Sequence, residues 1–125
     1  MNDLGKWGEE FAANEYKKLG FKVIDRNVKI IGYKQLGEID LVLKKGRSLV
    51  FVEVKTRSGN KFMDPIESVT WRKQGKLLKA VKAYIKNHEQ YSQYGLRLDV
   101  AIAEPPLDGH PGRVYIIEDA IQDNR

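Results

Sequence analysis

The sequence predicts an α/β fold in which a central mixed β-sheet is flanked by helices. Three observations carry that expectation. Residues 38–44 and 48–55 alternate as strands, yet over much of their length both faces are apolar, the mark of a sheet covered on each side. Apolar residues at helical spacing stand before and after them, in residues 3–19 and 70–87. The resulting order of helix, strands, helix, strands suits a layered sheet with helices on its faces.

Each element can be justified in turn. Asp3 is placed to cap a helix running to about Leu19, with Gly20 a fitting stop. Leu4, Trp7, Phe11 and Leu19 recur at helical spacing and are expected to face a core, and Glu15 falls in the same stripe without an evident reason. Phe21 to Val28 reads as the first strand. In the second, Ile39, Leu41 and Leu43 point one way while Glu38 and Asp40 point the other. Lys45-Gly46-Arg47 is a short turn with glycine where a left-handed residue is needed. In the third strand Val50, Val52 and Val54 share one face, and Leu49, Phe51, Glu53 and Lys55 the other. Residues 58–64 read as a mobile loop ending at Pro65.

Thr70 then caps a long helix to about Asn87. Its inner stripe is Gln74, Leu77, Leu78, Val81 and Ile85, and Arg72, Lys76, Lys79, Lys82 and Lys86 form an outer, solvated face. Leu96 to Ala103 is a fourth strand ended by Glu104-Pro105-Pro106, and Val114 to Ile117 a short peripheral fifth.

The totals bound what such a fold can be. Residues 1–125 fit one domain, and 42% hydrophobic residues supply its core. The absence of cysteine excludes disulfides, thiolate zinc sites and cysteine nucleophiles, and two histidines are too few for a histidine metal cluster. Met1-Asn2-Asp3-Leu4 is no signal peptide and no apolar run approaches membrane-spanning length, so no membrane and a cytoplasmic location are expected. Lys and Arg number 22 against 17 acids, a net charge of +5, which favours a polyanionic partner, though modestly.

The chemistry rests on three polar residues in central strands, where they cost free energy unless they are paired or serve a ligand. Asp40 stands on one strand, and Glu53 and Lys55 on its antiparallel neighbour, so these side chains can converge at the ends remote from the turn. Two carboxylates brought together repel, and a hard divalent cation such as magnesium relieves them. Lys55 is then placed to orient or deprotonate water, or to neutralise charge on phosphorus. The blander reading is a buried salt-bridge set, which carries a large desolvation penalty.

Asp40, twelve residues, then Glu53-Val54-Lys55 resembles the signature of the PD-(D/E)xK nuclease superfamily. Gly37-Glu38-Ile39-Asp40-Leu41-Val42 and Phe51-Val52-Glu53-Val54-Lys55-Thr56-Arg57 resemble the hallmark segments of the YraN-type family, small bacterial endonuclease-like proteins. Gly8-Glu9-Glu10-Phe11-Ala12-Ala13, Lys73-Gln74 and Leu98-Asp99-Val100 extend the resemblance over nearly the whole chain. The family is similar to archaeal Holliday-junction resolvases, whose helical glutamate precedes a Gly-aromatic pair at an offset that Gly20-Phe21 sets on Glu9. Ile39 stands where the superfamily has proline, and Asn27 to Gly37, with Lys29, Tyr33 and Lys34, is longer than the family pattern.

The resemblance implies a restriction-endonuclease-like fold and an active site of Glu9, Asp40, Glu53 and Lys55. Glu9, Asp40 and Glu53 would hold Mg²⁺ or Mn²⁺. It implies a nucleic-acid partner, DNA first, with phosphodiester hydrolysis of branched or single-stranded forms, and a homodimer. The alternative is a non-catalytic nucleic-acid-binding or adaptor module. Thr56, Arg57, Lys61, Lys73 and Gln74 are the residues placed to contact nucleic acid. Glu38 is expected to pair with Arg26 or Arg57, Asp99 with Arg97 or a lysine, and Trp71 to join the core; His88 and His110 read as surface residues.

Overall fold

The computed structural model describes residues 3–31, 35–57 and 71–122. The expectations for Tyr33, Lys34, Lys61, residues 58–64, Pro65, Thr70 and the Trp71 side chain lie outside them. Helix α1 spans Asp3–Lys18, strands β1, β2 and β3 span Lys22–Ile31, Gln35–Lys45 and Ser48–Thr56, and helix α2 spans Trp71–Lys86. A short 3₁₀ turn, β4 at Gly95–Glu104 and β5 at Arg113–Ile117 complete the order.

The five strands lie in one mixed sheet in sequence order. All neighbours are antiparallel except β3 and β4, which run parallel with α2 on the connection between them. Helices cover both faces. Ala12, Ala13 and Tyr16 of α1 pack on Leu41, Leu43, Val50, Val52 and Ala101. Leu77, Leu78, Ala80, Val81 and Tyr84 of α2 pack on Ile39, Val42, Phe51, Leu98 and Val100. The arrangement is consistent with a restriction-endonuclease-like fold, and double coverage explains why β2 and β3 are apolar on both sides.

Close approach depends on small residues. A Cβ built on Gly8 of α1 would overlap the Thr56 hydroxyl, and one on Gly37 would fall 2.7 Å from the Lys76 carbonyl oxygen. Helix α1 therefore rests on the Thr56 and Ala103 side chains of the sheet, and the backbone of α2 rests on β2, where the cleft will form. Gly46 takes φ +59° in the β2–β3 turn, and Gly20 takes φ +93° after α1, where Lys45 Nζ donates to the Leu19 carbonyl at 2.8 Å.

Several expectations need correction. Leu4 and Leu19 are exposed, at 36% and 53%, whereas Gly8, Ala12, Ala13 and Tyr16 are buried. The inward stripe of α1 is the small-residue stripe, because only small side chains fit so near the sheet. Glu15, on the half-buried flank, pairs with Lys18 at 2.8 Å. His88 is partly buried, stacked on Tyr84 with ring centres 3.9 Å apart. Nor do Ile39, Leu41 and Leu43 share a face. Val28 and Ile39, partners in register, pack beneath α2. The next pair, Arg26 and Leu41, faces α1, where Arg26 bonds Glu10 at 2.8 Å. Regular alternation is interrupted between these pairs, at Asn27 and Asp40, and Asn27 takes φ +49°, a left-handed value asparagine tolerates.

Candidate active site

The interruption at Asp40 is what builds the site. The β2–β3 ladder runs from Lys45–Ser48 to Leu41–Val52. Beyond Leu41 the Asp40 carboxylate itself bridges the strands, accepting from the Val54 backbone N–H at 2.7 Å. Glu53 and Lys55 follow on β3, held in register by parallel pairing with Val100 and Ile102 of β4.

These residues line one open cleft of about 600 Å³ together with Glu9 of α1 and Lys73 of α2. Gly5, Glu38 and Lys76 are also on its wall. Glu9, Asp40, Glu53 and Lys55 are therefore brought together, facing solvent through a common opening. Glu53 is 8% exposed and its Oε1 meets Lys73 Nζ at 2.8 Å and Lys55 Nζ at 3.4 Å. The Asn27 side chain favours the charged form of Glu9, so the left-handed residue of β1 also serves the cleft.

The electrostatics show a site with more negative charge than it comfortably holds. Burial, then the Glu53 charge, pushes Asp40 up to about 7, against the pull of the Val54 hydrogen bond. Glu9 is raised as well, first by burial and then by Glu38. Burial and the adjacent Lys73 lower Lys55. Burial also pulls on Lys73, but its contact with Glu53 outweighs this and Lys73 is raised.

An all-oxygen donor set of this kind fits a hard cation. Among the described residues no three Asp, Glu or His side chains are gathered into a ready ligand group. Asp40 and Glu53 nevertheless offer the one or two carboxylates by which magnesium is commonly held, with water filling its other positions.

The residues expected to contact nucleic acid divide. Lys73 is on the cleft wall but engaged with Glu53. Thr56 also lines the cleft, with its hydroxyl beside Gly8. Arg57 pairs with Glu104 at 3.1 Å, and Gln74 is half-buried on α2. Glu38 is exposed, and the arginines expected for it are taken by Glu10 and Glu104. Asp99 is a structural acid, fully buried, accepting from Arg97 at 2.8 and 2.9 Å, from Tyr16 at 2.8 Å and from the Asp119 N–H at 2.9 Å. Sequence reasoning missed Asn27 and the Lys73–Glu53 pair. Asparagine's tolerance of left-handed backbone was the available signal for the first, and the second joins residues twenty positions apart with no local signal.

Residues 8–103 match the model of the uncharacterised protein family UPF0102. The chain is 45% identical to a UPF0102 protein of Syntrophomonas wolfei over 89 residues, covering 71% of this chain and 74% of the relative. It is 37% identical to one of Frankia casuarinae over 117 residues, 94% of each chain. A relative from Clostridium perfringens is 33% identical over 119 residues, 95% of this chain and 93% of its own.

Proposed function

Because the chain belongs to the uncharacterised protein family UPF0102, its chemistry has to be argued from its own residues, and we propose that it is a magnesium-dependent nuclease acting on DNA. One observation carries the reading: Asp40, Glu53 and Lys55, from two neighbouring strands, open into the same cleft with Glu9. The set resembles the PD-(D/E)xK signature read from the sequence, and the resemblance to junction resolvases noted there extends the proposal to branched DNA.

Asp40 and Glu53 would hold the cation, with Glu9 beside them on the cleft wall. When bound, Mg²⁺ or Mn²⁺ supplies Lewis acidity toward the phosphodiester and lowers the pKa of water. Lys55, with its pKa lowered, stands where it can hold or take a proton at the attacking water and offset charge on the phosphoryl oxygens. The Val54 N–H fixes one oxygen of Asp40, leaving the other for the cation. Lys73, paired with Glu53 at 2.8 Å, would share that carboxylate with a bound cation or give it up.

The test is cleavage of junction, flap, single-stranded and duplex DNA with magnesium, comparing the parent with Asp40→Asn and Lys55→Ala. Calorimetric titration with magnesium accompanies it. Cleavage by the parent and its loss in both variants is expected; no metal binding and no cleavage by the parent removes the enzyme. A second reading, a non-catalytic nucleic-acid-binding module, is favoured by one contact. Lys73 and Lys55 already neutralise Glu53 without a metal. Nucleic-acid binding without cleavage, weakened in Lys55→Ala, is its signature.

A further inference from the structure

Helix α2 is built against the ordinary rules for a stable surface helix. It carries Arg72, Lys73, Lys76, Lys79, Lys82 and Lys86 and not one acid. Its first turn, where the helix dipole favours carboxylates, holds Arg72 and Lys73 instead. Successive basic residues stand three or four apart, Arg72 to Lys76 to Lys79 to Lys82 to Lys86, the spacing at which like charges meet and repel. All of them are exposed, while the opposite side of the helix, Leu77, Leu78, Val81 and Tyr84, is buried in the core.

This row does not stand apart from the site. Lys73 and Lys76 lie on the cleft wall, and Gly37 lets the α2 backbone rest on β2 at Lys76. From Arg72 to Lys86 the row runs about 21 Å at 1.5 Å per residue, leading away from the cleft along a rigid rod. It meets no aromatic on the outer face among the described residues, since Tyr84 points into the core.

We infer that the outer face of α2 is a rail for the sugar-phosphate backbone of duplex DNA, seating one duplex arm beside the cleft. A polyanion relieves the like-charge repulsion along the helix, and such contacts are independent of sequence. Single strands are gripped by aromatic platforms that stack on bases. A row of cations alone suits a partner whose bases are sealed within a helix. At about 3.4 Å per base pair the rail spans roughly six base pairs. The inference rests on the nucleic-acid reading above and adds where the substrate lies.

The test compares the parent with Arg72→Gln, Lys79→Gln, Lys86→Gln combined, leaving the cleft residues Lys73 and Lys76 in place. Binding of a fluorescent duplex and of the single strand of the same sequence is followed by anisotropy in EDTA over a range of salt. Circular dichroism verifies that the variant is folded. Each phosphate contact contributes about 0.9 to the slope of log K against log salt on duplex, so the slope should shrink by about 2.7.

An unchanged slope and affinity in the triple variant overturns the rail, even where Asp40-dependent cleavage stands. So does a change confined to the single strand. A shrunken slope with no cleavage by the parent supports the rail and removes the hydrolase. A parent that binds neither form overturns both.

Discussion

Asp40 should weaken the folded state in the absence of metal, and replacing it by asparagine should strengthen it. Its carboxyl is pushed from the ordinary 3.8 up to about 7 by burial and by Glu53. Between about pH 4 and 7 the folded chain keeps a proton that the unfolded chain releases, so stability falls as pH rises through that window. The full effect is about 4 kcal/mol at 1.36 kcal/mol per unit of pKa. Water in the open cleft screens part of it, and about 2 kcal/mol is the expected gain for Asp40→Asn at pH ~8. Asparagine retains an oxygen to accept from the Val54 N–H, so the bridge between β2 and β3 survives. At pH ~5 the folded carboxyl is largely protonated while the unfolded one is already ionised, so about two-fifths of the gain, ~0.8 kcal/mol, should remain, and it should vanish only below the unfolded pKa.

Urea unfolding in EDTA at both pH values measures the difference. Magnesium at ten times its Kd should then stabilise the parent by about 1.4 kcal/mol and leave Asp40→Asn unmoved. An asparagine variant that is less stable at pH ~8, or whose gain is equal at both pH values, would refute the claim that burial and the Glu53 charge hold the Asp40 carboxyl up.

Three further outcomes follow from named contacts. Gly8→Ala should cost about 1–3 kcal/mol through overlap with the Thr56 hydroxyl, and Thr56→Ala should rescue part of it, a coupling that a double-mutant cycle of unfolding free energies reads directly. Tyr16→Phe should cost about 1.5–3 kcal/mol in thermal or urea unfolding, because it removes a 2.8 Å donor to the fully buried Asp99. Lys73→Gln should tighten magnesium binding roughly fivefold by calorimetry, since a unit charge about 4 Å away in water-like surroundings is worth about 1 kcal/mol.

The fold was largely legible because period-2 and period-3.6 patterns report local geometry, and burial then follows from which face is apolar. The strands, the turn at Gly46 and the buried faces of β3 and α2 could all be read this way. Leu4 and Leu19 misled because apolar character is only one reason to be inside. On α1 the inward positions went to glycine and alanine, whose advantage is thinness and leaves no mark on a hydrophobic pattern.

What the chain's own order determined is that Asp40, Glu53 and Lys55 lie on adjoining strands joined by a tight turn. Strand pairing is enforced by a two-residue loop and needs nothing distant. Only tertiary structure decided how these groups meet: alternation breaks at Asn27 and Asp40, Asp40 reaches across to Val54, and α1 and α2 bring Glu9 and Lys73 to the same cleft. Those placements depend on how closely two helices settle on a sheet, a balance of packing and charge among residues far apart in the chain.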